Sequence, residues 1–169
     1  MRRLLVLLAA CLAASAMAIG PAAAGDNQPK NPKKEKAKIE DTYACFLSAE
    51  LGYTIEQKLA CVAEVGDDPE FQALAVELSE ANAGAADITE PDVKKITFKS
   101  KKAAVVTFDL LIGGDPVLPD QSGGAVLVKE DGKKVWKVSP LTLCNLFALA
   151  NPALLTSGPC ADIIANDTI

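Results

Sequence analysis

Histidine is absent from all 169 residues. That removes Ser-His-Asp and Cys-His catalysis, imidazole metal ligation and a histidine pH switch together. No two cysteines stand at C-x-x-C spacing, which leaves neither a dithiol redox pair nor a zinc motif. Aromatic residues are sparse, at 5% of the chain. Phe98 alternates with Lys95 and Lys99 and shares the inward side with Ile96, so no exposed ring interleaves with the cluster of Lys94, Lys95, Lys99, Lys101 and Lys102. A solvated strand face fits it better than a nucleic-acid surface, and an acidic chain is a poor match for a phosphate backbone. Long apolar runs are missing too. The strongest, Leu4 to Leu12, falls well short of the ~20 residues that a spanning helix needs.

What is there begins with MRRLLVLLAACLAASAMAIGPAAAGDNQ. Two arginines, an apolar run and Ala22-Ala23-Ala24 before Gly25 have the layout of a secretory signal peptide over residues 1–24, cleaved between Ala24 and Gly25. Cleavage would remove Arg2, Arg3 and Cys11, shift the net charge from −5 to −7 and leave four cysteines. The alternative is Leu8-Ala9-Ala10-Cys11, a lipoprotein pattern in which Cys11 is acylated and anchors the chain to the outer face of the membrane; the apolar region before it is short. Membrane contact is expected only through such an anchor. The expected location is secreted, or in the cell envelope.

Residues 25–39, rich in lysine and proline, read as a flexible basic linker. A single domain is expected over residues 40–169. Tyr43, Phe46, Leu47 and Leu51 define one face of a helix over 40–51. Thr54 and Gln57 form a capping box for a helix reaching about Val65, with Ile55, Leu59 and Val62 inward. Asp68 and Pro69 open a third helix, with Phe71, Leu74, Ala75 and Leu78 on its stripe. Alternation then marks strands over 93–100 and 103–112. A long Gly/Pro loop, GGDPVLPDQSGG, leads to AVLVKE, and Asp131-Gly132 turns the chain into KKVWKVS. Ser139 and Pro140 start a last helix over 140–150. Helices followed by a four-stranded antiparallel meander and a closing helix give an α+β class, one sheet face packed on helices.

The string GKKVWKVSPLTLCNLFALA, after a strand ending VLVKEDG, resembles the final hairpin and helix of the actinobacterial low-molecular-weight secreted antigen family (Mtb antigen C-terminal domain type). The resemblance covers residues 40 to 150 and is strongest from Lys94 to Ala150. It implies a nuclear transport factor 2-like, cystatin-like fold, in which a curved sheet wraps over helices as a cone, and an exported protein of unassigned activity. It carries over no catalytic residue.

An even cysteine count in an exported chain points to two disulfides. Cys45 and Cys61 are sixteen apart, as are Cys144 and Cys160. Local pairing is preferred because each bridge would pin a helix to its neighbour; two other connectivities remain open. Asp109 is the carboxylate of most interest, yet its phase opposes the Val106, Phe108, Leu110 and Ile112 face and turns it outward. Asp67, Asp68 and Glu70 match no calcium loop, and capping explains them better. Asp115 and Asp120 fit turn formation. Asn166-Asp167-Thr168 matches a glycosylation triplet of the kind chance produces. Phe98, Phe108, Trp136 and Phe147 are candidates to line a pocket, with core filling the plainer explanation. No catalytic, cofactor-binding or metal-ligating residue is expected. The sequence supports an exported, disulfide-stabilised binding module for an envelope protein, with two alternatives: a carrier of a small apolar ligand or lipid in the cone, and an enzyme working through carboxylates alone.

Overall fold

The computed structural model describes residues 28–82, 84 and 87–166. The expected leader, its Ala24–Gly25 cleavage site, Cys11 and the last two residues of the glycosylation triplet lie outside them. The elements are helices α1 (Pro32–Leu47), α2 (Ile55–Leu59) and α3 (Pro69–Ala81), then strands β1 (Thr89–Ser100), β2 (Ala103–Ile112), β3 (Asp115–Glu130) and β4 (Lys133–Val138). Helix α4 (Pro140–Ala150), a 3-10 turn (Pro152–Leu155) and α5 (Pro159–Asn166) complete the chain. The strands form one antiparallel sheet in the order β1-β2-β3-β4. This is the α+β arrangement expected from the order of the elements.

Helix α1 corrects the flexible linker expected over 25–39. Asn31 accepts the Lys34 N–H at 3.2 Å and Pro32 takes the first helical position, so the helix starts eight residues before Glu40. Lysine, glutamate and alanine are strong helix formers even where they bury little. Two contacts then fix this first half of α1 to the sheet. Ile39 is fully buried, and the Trp136 indole N–H donates to Glu35 at 2.6 Å. The Thr42 hydroxyl adds a bond to the Trp136 carbonyl at 3.1 Å.

Hydrogen bonding from Lys38 holds the Glu35 carboxyl below the usual glutamate value of 4.5; burial opposes this, while Trp136 and the charges of Lys38 and Lys34 reinforce it. A depressed carboxyl stabilises the fold above its unfolded value, and the contribution disappears as pH falls through the folded one. Glu35→Gln keeps an acceptor for the indole but cannot titrate. Its acid unfolding, followed by Trp136 fluorescence, should therefore respond less to pH below 4.5; an unchanged slope would remove Glu35 from the acid sensitivity.

The other corrections concern length. The first helix stops at Leu47, so Leu51 lies beyond its end and is 47% exposed. Helix α2 stops at Leu59, where the expected helix ran to Val65. The following residues leave the helix to cover the free edge of β4. Ala63 N–H donates to Val138 O, and Val138 N–H to Cys61 O, both at 2.9 Å. The long Gly/Pro loop is strand: β3 begins at Asp115, paired with Ile112 across Gly113-Gly114. Both glycines have positive φ, at 61° and 87°, which a tight two-residue hairpin demands. Pro119 is accommodated near the register shifts between Phe108 and Leu111, where Asp120 also takes positive φ, and such irregularities bend a sheet.

The sheet buries Ala104, Val106 and Phe108 of β2 with Trp136 and Val138 of β4. Tyr43 of α1 meets Phe108 edge-on at 5.2 Å between ring centres. Its hydroxyl donates to Gly124 O at 3.1 Å, and burial pushes its ionisation well above the usual tyrosine range. Thr142 of α4 accepts the Gly124 N–H at 2.7 Å. Two helices therefore rest on the same Gly123-Gly124 step of β3.

Candidate functional site: a cavity among the helices

Tyr43, Val106, Phe108 and Leu143, each fully buried, fill the centre of the space under the sheet, where a cone would hold a ligand; a hollow stays open to one side, between Gln121 and Ser122 of β3 and α4. A cavity of about 320 Å³ opens elsewhere, where all four of the first helices converge on the start of β1. Its apolar walls come from Phe46 and Leu47 of α1, Leu59 of α2 and Ala75 of α3. Leu143, Leu146 and Phe147 of α4 close it from the far side. The polar lining is Tyr53, Lys58, Ser79, Asp87 and Thr89. Such a combination, mostly apolar with a few polar groups, is the usual make-up of a small-molecule site, and the volume lies at the small end of the ~300–1,000 Å³ range.

The local sequence explains how this cavity is framed. The Thr54 hydroxyl and Gln57 amide complete the capping box, at 3.3 and 2.9 Å, and so fix where α2 starts. That start places Lys58 one residue before the buried Leu59 and on the cavity wall. Lys58 is half-buried, and its ammonium has no hydrogen-bond or ion-pair partner among the described residues. Burial lowers its pKa from the usual lysine value, while the more distant charge of Asp87 raises it. The Cys45–Cys61 disulfide joins the last turns of α1 to the residues just after α2, with Cα atoms 6.2 Å apart. It thus holds the two helices that carry Phe46 and Lys58.

The second disulfide, Cys144–Cys160, ties α4 to α5 with Cα atoms 5.4 Å apart. Both bridges follow the preferred local pairing, and both separations suit a disulfide, whose Cα atoms usually stand about 4.4–6.8 Å apart. Two such bonds belong to the chemistry of an oxidising compartment. No described helix is long and apolar enough to cross a membrane.

The four aromatics proposed as a pocket lining are not brought together. Phe147 borders the cavity. Phe98 instead packs on Trp136 at 6.0 Å, beneath the first turns of α1. Phe108 is core and also touches a second hollow of about 480 Å³ on the other flank of α4, beside the exposed Leu149 and Leu155. Asp109 faces outward, as its phase requires. It accepts the Asp120 N–H at 2.8 Å and pairs with Lys94 at 3.3 Å. The Asp120 amide is the main cause of its lowered pKa, with Lys94 assisting and desolvation opposing. Asp68 caps α3 through the Glu70 and Phe71 amides. Among the described residues no three cysteine or carboxylate groups gather as a metal site.

Sequence reasoning missed Lys58, although a signal was present: a lysine three residues after Ile55 and beside Leu59, inside an otherwise apolar inward stripe. Asp87 and Thr89 carried no such signal. Comparison of the chain with family models, with curated proteins and with solved structures finds no match.

Proposed function

We infer that this is an exported, disulfide-stabilised binding protein, acting in the cell envelope or outside the cell, whose ligand is small and largely apolar. The observation that carries the reading is the cavity of about 320 Å³ left open among four helices, walled by Phe46, Leu59, Ala75, Leu143 and Phe147. Two disulfides and the leader-like N-terminus support export. The resemblance of the last hairpin and helix to the actinobacterial low-molecular-weight secreted antigens points the same way. A protein partner is the second reading, favoured by Leu149 and Leu155, which are 54% and 43% exposed beside the second hollow.

Native mass spectrometry of protein purified from its own host tests the ligand. A bound mass that is released on denaturation is expected; protein that is consistently empty at its native abundance would count against a carrier. The intact mass with and without reductant reads export directly. A chain beginning at Gly25 with four oxidised cysteines is expected, whereas an acylated N-terminus at Cys11 would replace free export by anchoring.

A further inference from the structure

We propose that the cavity among the helices selects a single-chain amphiphile with an anionic head, the head held by Lys58 and the chain lying among Phe46, Leu59, Leu143 and Phe147. The inference rests on the reading of this cavity as the binding site and adds the ligand's charge.

Its basis is an asymmetry in the lining. Among the described residues Lys58 is the only cationic side chain on the cavity wall. It is half-buried, and no carboxylate or carbonyl among the described residues satisfies its ammonium. Elsewhere in the molecule a shielded lysine is satisfied: Lys137, 9% exposed, reaches both the Ala60 carbonyl and Glu130. A partly desolvated ammonium without a partner costs free energy that an incoming anion recovers through a charge-assisted hydrogen bond. Asp87 also lines the cavity, but it is exposed and lies beyond ion-pair contact with Lys58. Water therefore screens its repulsion of an anion more than it screens the attraction from Lys58. Away from Lys58, Tyr53, Ser79, Asp87 and Thr89 the wall is apolar and ends against Leu143, which is fully buried. This sets one cationic group beside an apolar wall, the pattern that an alkyl chain with one charged end complements. The modest volume favours a short chain.

The test is a heteronuclear NMR titration of the oxidised protein at neutral pH with decanoate, decanol and decyltrimethylammonium. Decanoate is expected to bind about tenfold more tightly than decanol, the order of one hydrogen bond to a charged group, and to shift the amides of Phe46, Leu59 and Leu143. Lys58→Met retains the apolar stem. It should abolish the preference while retaining decanol binding and without lowering the melting temperature. Equal affinities for the three probes, or a preference that survives in Lys58→Met, would overturn the charge assignment and leave the cavity as a neutral apolar site. If no probe moves those amides, the cavity reading falls, and the inference falls with it.

Discussion

Gly123→Ala is expected to lower the free energy of unfolding by about 3 kcal/mol, near the top of the range for overpacking a filled core. A Cβ at this position would collide with the Tyr43 hydroxyl and lie 2.7 Å from Thr142 Cγ2. Neither neighbour can simply swing aside. Tyr43 is fully buried against Phe108 of β2 and donates to Gly124 O of β3, and Thr142, 2% exposed, accepts the Gly124 N–H. Moving either ring or methyl breaks one of those bonds, each worth roughly 1 kcal/mol. Alanine's lower entropy in the unfolded chain offsets only about 0.5–1 kcal/mol of this. The mechanism has a signature beyond its size. Tyr43→Phe and Thr142→Ser each cost stability alone, yet combined with Gly123→Ala they should restore at least about 1 kcal/mol by removing the colliding atoms. Urea unfolding followed by Trp136 fluorescence measures every variant on one scale. Strictly additive losses would show that the glycine is required for some reason other than this contact.

The same step of β3 shows what the sequence could and could not convey. Strand β2 and helix α4 occupy the residues that alternation and the Ser139-Pro140 start assign to them. Both patterns are local: each residue's phase is set by its immediate neighbours. The glycines of β3 and the prolines beside them also have a local reading, as a loop, and that reading fails because the reason for them is distant. Gly123 and Gly124 are small so that α1 and α4 can rest on the strand, contacts made by residues 81 and 18 positions away in the case of Gly124. Composition likewise hides the first half of α1, where lysines face water and a single buried isoleucine and one glutamate bonded to Trp136 secure the helix. Yet Asn31-Pro32 is a legible helix start, and Gly113-Gly114 a legible hairpin. Both were overshadowed by the polar or proline-rich residues around them.

The cavity was less legible than the fold for the same reason. Its walls come from four helices and one strand, and no periodicity within any one of them reports which faces will leave a gap. Aromatic content pointed to Phe147, which borders the cavity, but equally to Phe98, Phe108 and Trp136, which a domain of this size uses to fill its core. Cysteine spacing was more informative, because sixteen residues across a helix and its return allow only a short loop. Of the three pairings, the local one also leaves each bridge within a single pair of packed segments. The bridges are nevertheless unequal in their surroundings.

Replacing Cys144 and Cys160 together with alanine should therefore be the most damaging of the two bridge removals. Both disulfides span the same sequence separation of 16. The chain-entropy model consequently assigns each about 3 kcal/mol through restriction of the unfolded state. Any difference between them must arise in the folded protein. Cys144 and Cys160 are fully buried, against Leu143 and the core beneath α4, whereas Cys45 and Cys61 are half-exposed. Losing two buried sulfurs adds a cavity term that the outer bridge does not incur, bringing the expected cost to about 4–5 kcal/mol. A domain with a total stability of about 5–15 kcal/mol is left marginal by such a loss. Helix α5 should detach first, since it is held to α4 by this bond, and its amides should lose exchange protection before those of the sheet. The Cys45→Ala/Cys61→Ala protein should instead stay folded with a loss near 3 kcal/mol, its flexibility confined to α2 and the cover it provides for β4. Denaturant midpoints and hydrogen exchange on the two double variants decide the matter. Equal losses would mean that the bridges act only through the unfolded chain, and a larger loss for the outer pair would show that α2, rather than α4, is the segment on which the core depends.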